Sequence, residues 1–136
     1  MTITLPAFGR PLPNAPSLSV LIVDDNLDAA DSLAEVLRLY GFGVHVAYGP
    51  DSALAAEQAD VVLLELRLAG MSGWELVRRM RAAATARPSP FVAVTTCGSK
   101  DDRRRSDEAG IDLHLVKPVE PTVLVEALRR YERVLA

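Results

Sequence analysis

Ser19-Val20-Leu21-Ile22-Val23-Asp24-Asp25-Asn26 is an apolar, β-branched run that stops abruptly on residues suited to a loop and a helix cap. It predicts a short buried strand. Beyond it, Leu27, Ala30, Leu33, Ala34 and Leu37 recur at three- and four-residue steps, which predicts a helix with these residues inward, closed by Gly41. The alternation then repeats. Val44–Ala47, Val61–Leu64, Phe91–Val94 and Leu113–Val116 read as strands. Asp51–Gln58, a helix opened by the capping-box spacing Ser72-Gly73-Trp74-Glu75, Asp101–Ala109 and Glu120–Leu135 read as the helices between and after them. On the third helix Leu76, Val77 and Met80 share a face, and on the last Leu124, Ala127, Leu128, Tyr131 and Leu135 point inward. Asp101–Glu108 holds no large apolar side chain, so the fourth helix is expected to be short and weakly anchored. Strands this apolar, separated by helices, imply an α/β fold with a five-stranded parallel sheet covered on both faces.

The rest of the composition agrees with one such domain. The chain has 136 residues, of which 49% are hydrophobic, enough for a single core. Four prolines (Pro6, Pro11, Pro13, Pro16) fall before Leu18, so residues 1–17 are expected to form a proline-rich N-terminal tail and 18–136 the domain. A net charge of −3, with both signs interspersed, builds no field for a polyanion, and nucleic-acid binding is not expected. The single cysteine, Cys97, excludes an internal disulfide and a cysteine-rich metal site, which fits a reducing compartment. The apolar runs are too short to cross a bilayer, and the N-terminus lacks the basic start and continuous apolar core of a signal peptide. The expected location is therefore cytoplasmic, with no membrane association.

In open parallel sheets, ligands bind beyond the carboxyl ends of the strands. Asp24 and Asp25 follow the first strand, Glu65 the third, Thr95 and Thr96 the fourth and Lys117 the fifth, so all share one rim. Singly, each has an ordinary explanation: an aspartate after a strand caps a helix, and a lysine before Pro118 is solvated. Jointly they point to a site. Three carboxylates on one rim repel one another, and a hard cation such as Mg²⁺ is the natural partner for their oxygens. Hydroxyls and an ammonium nearby suit the oxygens of a phosphoryl group.

Four segments carry a resemblance: Val20–Asn26, Val61–Gly73, Val92–Thr95 and Leu115–Pro118 are similar, in order, to the motifs of the bacterial two-component response-regulator receiver domain. The resemblance covers about residues 18 to 135. It implies a flavodoxin-like (βα)5 fold, doubly wound, with strand order 2-1-3-4-5. It further implies a Mg²⁺ site at Asp24, Asp25, the residue at position 65 and the Arg67 carbonyl, with Thr95 and Lys117 binding the phosphoryl group. Thr95 and His114 fall at the family's switch positions, the latter where an aromatic residue is usual. The Lys117-Pro118 bond is expected to be cis.

This chain departs from the pattern at the phosphoacceptor, where Glu65 replaces the aspartate that takes phosphate from a histidine kinase. In-line attack depends on positioning, and the added methylene moves the carboxylate on the order of 1.5 Å. Efficient phosphotransfer is therefore not expected. Three readings of Glu65 stay open: a phosphomimic with partial charge, a pseudo-receiver that has lost switching, and an engineered substitution. Ala69 stands where proline is usual and is expected to loosen its loop. His114 is either a surface imidazole or a switch. Arg103–Arg105, flanked by acids, reads as a solvated face, Cys97 as an inert thiol and Trp74 as packing.

These features predict a stand-alone, non-enzymatic signalling module. Its expected partners are a histidine kinase or another signalling protein, and a second copy of itself through the face of the fourth helix, fifth strand and fifth helix. Its expected cofactor is weakly bound Mg²⁺. The rivals are a Mg²⁺-dependent phosphotransfer enzyme of haloacid-dehalogenase-like type, which carries its two aspartates one residue apart rather than adjacent, and a receiver excised from a hybrid histidine kinase.

Overall fold

The computed structural model describes residues 18–84 and 88–135, so the expected tail at 1–17 lies outside the described residues. The expected alternation forms throughout: β1 (Ser19–Val23), α1 (Leu27–Leu39), β2 (Gly43–Ala47), α2 (Pro50–Ala55), β3 (Val61–Leu64), α3 (Gly73–Ala83), β4 (Phe91–Thr95), α4 (Lys100–Ala109), β5 (Leu113–Val116) and α5 (Pro121–Leu135). The strands pair in parallel in the order β2-β1-β3-β4-β5, the flavodoxin-like order.

Successive strand residues face opposite sides of a sheet, and the apolar strands therefore feed two cores. Val20, Ile22, Val61, Leu63, Val92 and Val94 meet α1 and α5 through Ala30, Ala34, Leu37, Leu124 and Leu128. Leu21, Val23, Val62, Leu64 and Ala93 meet α2 and α3 through Ala53, Trp74, Leu76 and Val77. Burying each such large side chain contributes about 1.5–3 kcal/mol. Arg129, buried on α5 beside the expected apolar stripe, lies over the Phe42 ring, pairs with Glu132 and donates to the Tyr40 carbonyl at 2.6 Å, tying the middle of α5 to the C-terminal end of α1.

The differences from expectation lie at element ends. α2 stops at Ala55 rather than Gln58, because Glu57 and Gln58 have no apolar face to bury. Leu27, expected inward, is 58% exposed, since the first residue of α1 overhangs the rim of the sheet. At α3 only half a capping box forms: the Ser72 hydroxyl accepts from the Glu75 amide, while the Glu75 carboxylate turns to Arg79. The complete box is on α4, where Ser99 and Asp102 cap each other's amides. That helix is ten residues long and buries only two small side chains, Ser106 and Ala109.

Gly73 opens α3 against the end of β3, with its amide donating to the Leu66 carbonyl at 2.9 Å. A Cβ there would lie 2.7 Å from both the Glu65 carbonyl oxygen and the Leu66 Cα. Both neighbours are backbone and cannot turn aside. Gly73→Ala is therefore expected to destabilise the fold by about 2 kcal/mol, as overpacking does. Urea denaturation of the variant beside the native chain measures the loss, and an unchanged midpoint would show that α3 can retreat without cost.

Candidate functional site

Register brings the polar rim together. Val23 pairs with Leu64 across β1 and β3, so Asp24 and Glu65 leave adjacent strands side by side, and the Glu65 amide donates to the Val23 carbonyl at 2.9 Å. Thr95 ends β4 beside Val116, and the Lys117 amide donates to the Thr95 carbonyl at 2.8 Å. Four of the five strands, β1, β3, β4 and β5, thus each deliver one side chain to one spot.

Four donors hold the Glu65 carboxylate. Oε2 accepts from the Leu66 amide at 2.6 Å, from the Arg67 amide at 3.1 Å and from the Thr95 hydroxyl. Oε1 accepts from Lys117 Nζ at 3.2 Å. Lys117 also reaches Asp24 Oδ2 at 3.4 Å, and Asp24 Oδ1 caps the Asn26 amide at 3.0 Å. Asp24, Glu65 and Thr95 are all buried. The Lys117-Pro118 bond is cis, as expected.

Asp25 is turned aside, its Oδ2 accepting from the Ala69 amide at 2.8 Å. A proline at position 69 has no such hydrogen to give. The substitution expected to loosen this loop therefore supplies a bond that ties it to β1. Cys97, expected to be an inert thiol, is buried, and its sulfur accepts from Arg67 Nε at 3.2 Å. No local signal paired these two, which lie thirty residues apart. His114 is half-buried rather than a surface imidazole, with both ring nitrogens engaged, by Ser106 Oγ and the Cys97 carbonyl, away from Glu65. Trp74 packs as expected, under the Arg105 guanidinium, and Arg104 pairs with Asp101 and Glu108 on the solvated face.

Among the described residues no three His, Cys, Asp or Glu side chains are arranged to hold a metal ion. The donor set still fits Mg²⁺ in kind, because Asp24, Asp25 and the Arg67 carbonyl are hard oxygens on one rim. Both Glu65 oxygens, by contrast, are already engaged by protein donors.

A family model for the response regulator receiver domain matches residues 20–129. This chain belongs to that family. The receiver is 39% identical over 114 residues to the sensory transduction protein RegX3 of Mycolicibacterium smegmatis, covering 82% of this chain and 49% of the relative. It is 35% identical over 117 residues to the cyclic di-GMP phosphodiesterase response regulator RpfG of Xanthomonas campestris, covering 79% of this chain and 30% of the relative. The receiver thus spans about half the length of these curated relatives or less. A CheY-like receiver domain structure from Methanospirillum hungatei superposes with a TM-score of 0.78 at 27% identity, covering 87% of this chain and 96% of that one. These matches favour neither a haloacid-dehalogenase-like hydrolase nor a fragment of a hybrid kinase. Among the described residues no helix is long and apolar enough to cross a membrane.

Burial pushes the Glu65 carboxyl up, but the Thr95 hydroxyl, the Arg67 amide and Lys117 outweigh it and hold it below its ordinary 4.5. Burial pushes Lys117 down, and Asp24 and Glu65 outweigh it to hold the ammonium above its ordinary 10.5. The Glu65 charge therefore contributes stability that is complete above pH 4.5 and is lost as the pH falls through its lower folded value. The Lys117 charge contributes stability below pH 10.5 that is lost as the pH rises through its higher folded value. Glu65→Gln keeps an oxygen for Thr95 and the amides but removes the ion pair. It is expected to be less stable than the native chain at pH 7, with the gap closing below about pH 4.5. Urea melts of both proteins from pH 7 to 3 read this directly, and a gap independent of pH would show that the charge does not stabilise the fold.

Proposed function

We propose that this receiver is a two-component signalling module that acts by binding other proteins, with Glu65 serving as a built-in, partial phosphate mimic in place of a phosphorylated aspartate. One observation carries the reading: the Glu65 carboxylate meets the Thr95 hydroxyl, Lys117 and two loop amides, a donor set suited to phosphoryl oxygens. Mimicry is partial because glutamate brings one negative charge where phosphate brings nearly two. The names of the relatives, a sensory transduction protein and a response regulator, agree with signalling. The partners proposed are a histidine kinase or another signalling protein, and a second copy through the α4-β5-α5 face, in the cytoplasm.

Phosphotransfer is blocked in this reading for a geometric reason. Attack needs a free carboxylate oxygen in line with phosphorus, and the longer side chain spends Oε2 on Thr95 and its own loop. Mg²⁺ would be held weakly by Asp24, Asp25 and the Arg67 carbonyl, and Glu65 would join only by giving up a protein donor. When bound, the ion would neutralise the rim and orient phosphoryl oxygens.

Incubation with acetyl phosphate and Mg²⁺, followed by intact-mass spectrometry, tests the block. The native chain is expected to gain no phosphoryl group and the Glu65→Asp variant to gain one, since shortening the side chain frees the acceptor oxygen while Asp24, Asp25, Thr95 and Lys117 stay in place. A phosphorylated native chain would show that the methylene is tolerated. An unreactive Asp variant would show that the pocket has lost more than its acceptor.

A further inference from the structure

We propose that His114 is a proton-operated latch between α4 and the loop that follows β4. Four groups, on α3, α4, β5 and the loop after β4, stand in a hydrogen-bonded line. Trp74 Nε1 donates to Ser106 Oγ at 3.0 Å, Ser106 Oγ lies 2.7 Å from His114 Nδ1, and His114 Nε2 lies 2.6 Å from the Cys97 carbonyl oxygen. The two ends dictate the direction of the whole line, because an indole N–H only donates and a carbonyl only accepts. The ring hydrogen must then sit on Nε2, and bare Nδ1 accepts the Ser106 hydroxyl hydrogen. Every hydrogen in the line has one acceptor, but only while the imidazole is neutral.

A second ring proton belongs on Nδ1, where it faces Ser106 Oγ and leaves the hydroxyl hydrogen without its acceptor. Ser106 is 1% exposed, so bulk water does not replace the lost partner. The acceptor a helical serine reaches most readily is the carbonyl one turn back in its own helix, and that bond bends the helix. α4 has little else to hold it, since Ser106 and Ala109 are its only buried residues. Protonation therefore acts on the point where the helix is fastened.

The charges around the ring set the balance. Asp102, on α4, attracts the imidazolium, and His114 in turn favours the Asp102 anion. Opposing it on α4 are Arg103, whose Nη1 lies 3.4 Å from the His114 carbonyl oxygen, and Arg105 over the Trp74 ring. On the loops, Arg67 sits on the Cys97 thiol, and Lys117 follows three residues along from His114. The latch adjoins the Glu65 site, because the Cys97 amide donates to Thr95 Oγ1 at 3.2 Å. It does not depend on what Glu65 mimics.

The test follows the full chain from pH 8.0 to 5.5, with the two histidines, His45 and His114, resolved by imidazole NMR. Amide exchange over residues 100–109, corrected for its intrinsic pH dependence, and Trp74 emission report on α4. As His114 gains its proton, exchange in α4 is expected to accelerate about fivefold, the loss of one ordinary hydrogen bond, and Trp74 emission to shift in parallel. His114→Gln should show neither response, and His45→Gln both. The proposal is overturned if His114 stays neutral to pH 5.5, if it titrates while α4 and Trp74 do not respond, or if His114→Gln responds as the native chain does. The first two outcomes are read on the native chain and stand even where the variant fails to fold.

Discussion

The ion pair between Lys117 and Glu65 joins the two halves of the rim, and the arrangement of the site depends on it. Lys117 reaches the rim from β5, at one edge of the sheet, yet its ammonium lies across the ends of β4 and β3 as far as Asp24 on β1. That span requires a cation with a long stem and requires anions at both stopping points. The partial burial of Lys117 is tolerated because two carboxylates compensate for lost water, and burial of Glu65 is tolerated because four donors do. Removing either charge costs the other its opposite-charge partner across the rim, although Lys117 keeps Asp24 and Glu65 keeps Thr95 and two amides.

Much of this was legible in the chain because buried parallel strands must be apolar and must end on loop residues. The runs Ser19–Val23 and Val61–Leu64 and the residues that stop them located β1, β3 and the rim carboxylates together. What was not legible depended on contacts between distant segments or on competition for one group. Leu27 matches its helix's apolar spacing but stands where α1 has left the sheet behind. Glu75 has the spacing of a capping box, yet Arg79 one turn on competes for its carboxylate. The Arg67–Cys97 and Trp74–Ser106 bonds join segments about thirty residues apart. Side chains meeting that way leave no periodicity to read.

Ala69 shows how a departure from a family pattern can be misread when only stiffness is considered. Losing a proline frees φ, which loosens a loop, but it also restores an amide hydrogen. Here that hydrogen is taken by Asp25, which draws one of the two adjacent aspartates away from Asp24 and toward the β3–α3 loop. The loop exchanges covalent rigidity for a hydrogen bond to β1. If Asp25 holds Mg²⁺ as proposed, cation binding and loop tethering would draw on the same carboxylate.

In the proposed reading the same added carbon accounts for both what Glu65 loses and what it keeps. Extending the side chain from β3 carries Oε2 to the Thr95 hydroxyl while two amides of its own loop hold it there, so the oxygen that would attack phosphorus is instead fully satisfied. A phosphorylated aspartate would bring its charge to the same donors from a similar distance, but with three oxygens and nearly twice the charge. A fixed carboxylate shifts a conformational balance only by the difference in its interactions between the two states. In the proposed reading Glu65 meets Thr95 and Lys117 without a kinase. Its effect would then be a constant bias on the receiver, and a change of state would enter through groups other than the acceptor.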